Sequence, residues 1–507
     1  MPITGLPTFS AGILTAASLN AIVTALETKF SGQIGGGDIS WPLQAGGDID
    51  MGQYRLVNVP KFWNMFNAAE RPTGDTLQDV LDDINALGGG VLIIPSNHTE
   101  VLPAAGVTPK SETWIVGEGP SSIIQAHASG SDDMIHMGAT SDNVVFANLR
   151  FQGVSSVDQK FIDFENAAAS NVRIFNCKFD THGEASYIHF SAAAENVSIS
   201  NNHFIGNGDS EPQHMIFLAA AKNVRILKNN FKDWSNSAIF STPTAAVANV
   251  LVVGNALVND NSTSAVQTVN YAIGFSNSSA VAACQNIMVN SNSISGKGSG
   301  IGGVYSDDFD RVMVCKNTIY TNKAKPAIHV YNGTGGVFNG NNLNCQAGSG
   351  IVIGSTGDIQ DAGRAADQFT GFALCHNVIT THNQTATYGI GIVVVGGNSP
   401  ISAAVAGNRA ITTNANVFQI WNLLAAPTVK PTQITITGNH FFCNDAIVAT
   451  RKGFASYTDM GTTNTADIGT GVVSHWFTMV GNTIPNSVAG VDYTTGSNKT
   501  VVADNNT

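Results

Sequence analysis

The sequence predicts an all-β solenoid, a parallel β-helix, and three observations predict it. A short motif recurs: "NVRIFNCKF" at 171–179, "NVSISNNHF" at 196–204 and "NVRILKNNF" at 223–231, with looser copies as far as Met479–Ile484. Copies stand between 24 residues apart (Asn317 to Asn341) and 43 (Asn439 to Asn482), an interval that signals a stacked array of like units. A second short apolar run precedes each copy, as in "YIHF", "HMIF", "SAIF", "AIGF", "AIHV" and "GIVI", while Gly, Asn and Ser fill the turns and helical periodicity is absent.

Inside the motif one position is nearly fixed. Asn fills it at Asn202, Asn229, Asn255, Asn292, Asn317, Asn341, Asn377, Asn408, Asn439 and Asn482; Leu149 and Cys177 fill it in two earlier copies. Its apolar flanks persist, as Ile199/Phe204, Ile226/Phe231, Val314/Ile319, Leu374/Ile379 and Ile436/Phe441, with Ala410 the weak one. Alternation puts Val172 and Ile174 inward and Arg173 outward. A short amide at a tight turn satisfies backbone groups and tolerates left-handed dihedrals, and stacked amides bond along a column. Two or three short strands per coil, wound around an apolar interior, account for all of this. A propeller would show Trp/Asp or Gly/His signatures in each blade, and none occurs.

Ahead of the first coil lies "DTLQDVLDDINALGGGVLIIP". Leu77, Val80, Leu81, Ile84 and Leu87 share one helical face, with Asp75 as N-cap and Gln78 three residues on. Glycines 88–90 stop this helix and "VLIIP" begins the first strand. Such a helix covers the open end of a solenoid, whose strand edges are otherwise bare. Further upstream, "SLNAIVTALETKF" aligns Leu19, Ile22, Val23, Leu26 and Phe30 on one stripe before a Gly-rich hinge, "GQIGGGD". The predicted organisation is therefore an N-terminal segment (1–60), a linker and capping helix (61–90), the solenoid (91–490) and a short tail (491–507).

The chain's 507 residues are 43% hydrophobic and 12% charged, with a net charge of −12. That balance supports a large core and offers no basic patch for nucleic acid. No run of 18 apolar residues exists, so no membrane insertion is expected. The opening "MPITGLPTFSAGILTAASLNA" lacks the basic stretch of a secretion signal. Cysteines 177, 284, 315, 345, 375 and 443 show no metal-binding spacing and are expected as free thiols. No metal and no cofactor are expected.

The stretch "GGDIDMGQYRLVNVP" resembles a segment common near the N-termini of bacteriophage tail fibres and tailspikes, carried here by Gly46, Gly47, Asp48, Asp50, Met51, Leu56, Asn58 and Pro60. The helix, three glycines and strand from Thr76 to Pro95 likewise resemble the start of pectate-lyase-like β-helices. The resemblance implies a right-handed coil and a homotrimer. It implies that residues 1–60 attach to other virion tail proteins, and that the solenoid binds, and often cleaves, a bacterial surface polysaccharide. Such a protein is assembled in the host cytoplasm and acts outside the cell. Only "NSVAGVDYTTGSNKTVVADNNT" follows the last coil, so trimer contacts are expected on the solenoid flanks and the N-terminal helix.

Glycan hydrolysis needs two carboxylates, one protonated and one ionised. Aligning "KFIDF", "SYIHF", "QHMIF" and "NSAIF" places Asp158, Glu184, Glu211 and Trp234 in one column, at spacings of 26, 27 and 23. Beside it stand Asp180, His182, Asp209 and Asp233 on connecting turns. The same alignment gives an outward row of Phe161, Tyr187, His214 and Ser237, and a second row of Asp163 and His189. Glu184 and Glu211 are the expected acid and base, with Asp158, Asp180, Asp209 and Asp233 as substitutes. Tyr187, His214, Trp234, His182 and His189 are the expected sugar contacts, because aromatic faces take the apolar side of a sugar ring and polar groups its hydroxyls. A surface of solvated turn acids with no ligand, a lyase using Lys160 or Lys178, and a purely adhesive spike are the alternatives. A second acidic cluster, Asp307, Asp308 and Asp310, follows its strand and falls on another side.

Overall fold

A computed structural model of the chain describes residues 64–507, apart from 130–132, 155–159, 167–168, 181–185, 193, 207–213, 243–245, 261–270, 276–283, 297–301, 307–308, 323–325, 331–332, 355–368, 383–387, 395–401, 414–415, 423–431, 444–453, 459–474, 484–490, 494–499 and 505–507. The stripe at 19–30, the hinge and the tailspike-like segment lie outside the described residues. So does Cys443.

Each rung crosses three sheets. In the rung of "NVRIFNCKF", Arg173–Phe175 belongs to the first sheet, Lys178–Asp180 to the second and Ser186–Phe190 to the third. The next rung repeats this with Ser198–Ser200, His203–Ile205 and His214–Leu218. Pairing is parallel and registered: Ile174 with Ile199, Phe179 with Phe204, Ile188 with Ile216. Among the described residues the second and third sheets hold 13 strands each, and the first holds 21 because some rungs cross it as two short strands. The molecule is the predicted parallel β-helix.

Inward positions fill the interior with like on like. Phe151, Phe179, Phe204 and Phe231 stack at centroid distances of 4.9, 4.7 and 4.7 Å with nearly parallel rings. The rung spacing of about 4.8 Å sets that distance, and offset stacking makes it favourable. Cys177, Cys284 and Cys345 are buried free thiols, whereas Cys315 and Cys375 are half-buried. Burial pushes the Cys177 and Cys345 thiols up to about 12.

The recurrent Asn forms a buried ladder at the corner between the first and second sheets. Asn255 Oδ1 accepts from the backbone N–H of Asn229 at 2.8 Å and from its Nδ2 at 3.1 Å. Asn255 Nδ2 donates to Ile226 O and to Asn292 Oδ1, both at 2.9 Å. The pattern runs unbroken to Asn482. It starts at Cys177, whose N–H donates to Asn202 Oδ1. The expected left-handed residue is not the ladder Asn but the one before it: Asn201, Lys228, Gly254, Ser291, Lys316, Gly340, His376, Gly407, Gly438 and Gly481 all have φ between 53° and 68°. The bend and the amide bonding are thus divided between neighbours.

A helix, Leu77–Ala86, packs Leu77, Val80, Leu81 and Ile84 against the first rungs, and Leu87 is its exposed C-cap. Its N-cap is Thr76, not Asp75. Thr76 Oγ1 accepts from Asp79 N, and Asp79 Oδ2 accepts from Thr76 N at 2.7 Å, which lowers the Asp79 pKa. Gln78 takes no part in the cap, because its Oε1 accepts from Thr108 N at 2.7 Å on the solenoid. Ahead of the helix, Asn64–Asn67 pairs with Gly90–Ile93 as a further rung, within the stretch read as linker. At the other end, Val491–Tyr493 and Thr500–Asp504 continue the third and first sheets into the stretch read as a tail. No helix among the described residues is long and apolar enough to cross a membrane.

Replacing Asn255 by Ala takes the side-chain acceptor from the Asn229 N–H and the side-chain donor from the Ile226 carbonyl in the interior. Urea unfolding is expected to show a loss of about 3 kcal/mol or more. Asn249→Gly, at an exposed left-handed corner, should stay within about 1 kcal/mol of wild type.

Candidate functional site

The third sheet carries the chemistry. One outward row, read through the strand pairings, runs His136, Asp163, His189, Phe217, Phe240 and Gly274. It is polar at its start and aromatic after His189.

At the polar end Asp163 lies on the outer row yet is 2% exposed, because its neighbours close over it. Lys160 Nζ sits 2.6 Å from Asp163 Oδ2 and 2.9 Å from Asp133 Oδ2, and Lys160 N donates to Asp133 Oδ1 at 2.9 Å. Ser191 Oγ donates to Asp163 at 2.7 Å and lies 3.0 Å from His189 Nδ1. Burial acts to raise both carboxyls. In Asp163 it is outweighed by hydrogen bonds from His189, Lys160 and Ser191, so the group titrates well below the usual carboxylate range. In Asp133 burial wins over Lys160 and the pKa lies above the ordinary value. Burial opposes the charge on Lys160, but its two carboxylates prevail and raise its pKa. Neighbouring acids driven in opposite directions are the arrangement that separates an acid from a base.

A third acid adjoins them. His136 Nδ1 lies 2.7 Å from Glu165 Oε1, and His136 Nε2 lies 3.1 Å from the carbonyl of Ala105. Both ring nitrogens of His136 are thus engaged. Ligand atoms of Asp133, His136 and Glu165 lie within 4.8 Å of one another. As a cation site this trio fits poorly, since the Lys160 ammonium occupies Asp133 and both His136 nitrogens are engaged.

At the aromatic end, ring centroids of His189 and Phe217 are 5.0 Å apart, Phe217 and His214 5.2 Å, and His214 and Phe240 4.6 Å. Phe217 and Phe240 remain partly exposed. Burial, followed by the charge of His189, lowers the His214 pKa to about 3, so this ring is a neutral spacer. Gly274 makes room for the Phe240 ring, from which a Cβ would stand 2.7 Å, and the row continues through positions 305 and 329.

The sequence-predicted residues scatter. Asp158, His182, Glu184, Asp209 and Glu211 lie outside the described residues, in segments that lead into third-sheet strands. Asp180 belongs to the second sheet, paired with Lys178 and, at 3.0 Å, with Arg150. Burial acts to raise its pKa, but those cations lower it. Asp233 is a left-handed corner residue (φ 57°) whose Oδ1 accepts from Asp260 N. Asp310 pairs with Arg311 and Thr334 on the first sheet, while Asp307 and Asp308 lie outside the described residues.

Two expected sugar contacts are corrected. Tyr187 is fully buried, 4.9 Å from Phe161, with its hydroxyl donating to Ile205 O. Trp234 is 1% exposed. Neither offers a face to a ligand. His214 is on the outer side but stacked and covered. Tyr187 keeps its expected place beside Phe161, but it and Ile188 both turn inward, which breaks the alternation. The register beyond it is offset by one residue: "SYIHF" pairs with "HMIFL", not "QHMIF", so His214 faces Ser186 and Ser237. His189 does share a row with Asp163, as expected. Missed were Phe217 and Phe240, visible in the sequence only as the last letters of "HMIF" and "SAIF", and the Asp133–Lys160 and His136–Glu165 pairs.

No protein-family model and no curated protein matches this sequence. Solved structures do match in fold. The A-module of the mannuronan C-5 epimerase AlgE6 from Azotobacter vinelandii is 15% identical, over 75% of this chain and 93% of that one, with a TM-score of 0.52. The tailspike protein of E. coli bacteriophage HK620, in complex with a pentasaccharide, is 15% identical over 81% of this chain and 63% of that one, at a TM-score of 0.41. A mannuronic acid specific polysaccharide family 6 lyase from human gut microbiota gives 11% identity, 87% and 91% coverage and a TM-score of 0.43.

Asp163→Asn should cost about 2 kcal/mol in urea unfolding at neutral pH, since it removes one of the two carboxylates that hold Lys160 and leaves only Asp133. The folded pKa of Asp163 is depressed, so its contribution is complete above the unfolded value of about 3.9 and fades as pH falls through the folded one. The difference between variant and wild type should stay level from about pH 8 to pH 5 and shrink below about pH 4.

Proposed function

We propose that this protein binds a bacterial surface polysaccharide along the outer face of its third sheet and hydrolyses it, acting as a bacteriophage tailspike during host adsorption. One observation carries the reading: a cluster of carboxylates and imidazoles runs directly, rung by rung, into the strip of His189, Phe217 and Phe240. Aromatic rings receive the C–H faces of sugars, and carboxylates and imidazoles receive their hydroxyls. Support for a polysaccharide-acting role also comes from the likeness in fold to the mannuronan C-5 epimerase A-module, and for the phage role from the segment at 46–60.

Glu184 and Glu211 are the proposed acid and base, because their segments lead straight into strands of this face. Glu184 precedes Ser186 by two residues, and Glu211 precedes the paired His214 by three. Asp158 and Asp209 are the remaining substitutes, as Asp180 and Asp233 are committed to other partners. An elimination reaction needs a base that releases its proton readily. Lys160, between two carboxylates that raise its pKa, is a poor one. Residues 1–60 serve attachment to the virion tail, and three copies assemble through the solenoid flanks.

Incubation of the protein with polysaccharide from susceptible cells should release reducing ends without ultraviolet-absorbing unsaturated products. Glu184→Gln and Glu211→Gln should each slow release by about 100-fold or more while glycan binding persists. Wild-type rates in both variants would end the assignment. Binding without any release would leave an adhesive spike.

A further inference from the structure

The third sheet differs from the other two in the charges it carries. Its 13 strands contain no Lys and no Arg, from Ile135–Met137 and Ile162–Phe164 through Ser186–Phe190, His214–Leu218, Ser237–Ser241 and Tyr271–Phe275 onward. The second sheet, by contrast, carries Arg150, Lys178, Lys232 and Arg409 in its strands. Segments leading into the face at 155–159, 181–185 and 207–213 bring Asp158, Glu184, Asp209 and Glu211 and no basic residue. Basic residues stand in such segments only past the aromatic strip, at Lys297, Lys323, Lys325, Arg451 and Lys452. Lys160 stands at the face, but its ammonium is held by Asp133 and Asp163 at 2.9 and 2.6 Å.

A glycan bearing uronates, or another acid group at every repeat, is recognised by guanidinium or ammonium groups that pair with its carboxylates. On this face its charges would meet Asp133 and Glu165 with no free cation among the described residues of the face to answer them, and His214 between the two Phe rings stays neutral down to about pH 3. Sugar hydroxyls, in contrast, find acceptors in the carboxylates and a flat apolar surface in Phe217 and Phe240. Resting on the polysaccharide reading above, we infer that the glycan bound by this face is uncharged along the stretch that lies on the third sheet. The face is built to exclude polyanions as much as to hold hydroxyls.

The test uses the full-length protein and an array of bacterial O-antigen and capsular polysaccharides of known repeat unit, half of them uronate-bearing and half uncharged. Each uronate polymer is also printed after chemical reduction of its carboxyls to primary alcohols. Bound glycans should be uncharged, and any uronate polymer retained weakly should bind about tenfold better once reduced. Phe217→Ala should weaken the bound glycans by about tenfold, tying them to this face. A uronate polymer that binds best and loses affinity on reduction, with Phe217→Ala still weakening it, overturns the charge assignment alone. Binding to neither class overturns the polysaccharide reading beneath it.

Discussion

The buried amide ladder is the constraint on which the molecule depends. At the corner between the first and second sheets the backbone turns sharply inside a packed interior, and its polar groups cannot reach water. Each ladder Asn answers three of them: a backbone N–H and an amide N–H of the previous rung, and a strand carbonyl. An orphaned group there costs as much as several methylenes of burial gain. The chain therefore keeps its Asn, and with it a fixed point on every rung. Strands on either side of that point inherit their register from it, which is why Phe179, Phe204 and Phe231 stack without drift.

Away from the ladder the constraint relaxes. From the ladder position to the outward row of the third sheet there are 12 residues in one rung (Cys177 to His189), 15 in the next (Asn202 to Phe217) and 11 in the one after (Asn229 to Phe240). The same coil thus holds an invariant corner and a face whose side chains are reached through segments of varying length. Insertions there change what the face displays and leave the core alone, which is how solenoids commonly divide stability from binding.

The same division explains what could be read in advance. The parallel β-helix, the inward alternation of Val172 and Ile174 and the buried face of the capping helix follow from periodic apolar positions, and the sequence displays these directly. The bend-forming residue was misassigned because an Asn column and a left-handed column lie side by side, and only the dihedrals separate them. In the candidate site, alignment by resemblance of "SYIHF" to "QHMIF" lost one residue across a segment of unequal length. Tyr187 and His214 were placed in one row, and Phe217 and Phe240 were left among the core. The Asp133–Lys160–Asp163 and His136–Glu165 pairs join residues of different rungs with no common spacing, so no periodicity advertises them. Asp163 and His189 were aligned correctly because "FIDF" and "YIHF" keep the same apolar frame, although 14 residues separate Leu149 from Asp163 and 12 separate Cys177 from His189.

The ladder also has a sense. Every amide gives its N–H toward the carboxyl-terminal neighbour and takes one from the amino-terminal side, and the first member receives only the N–H of Cys177, whose thiol cannot extend the column. A stack of this kind grows in one direction. The rungs before Cys177 stack without the ladder, so the amide column sets the register of the later coils and apolar packing that of the earlier ones.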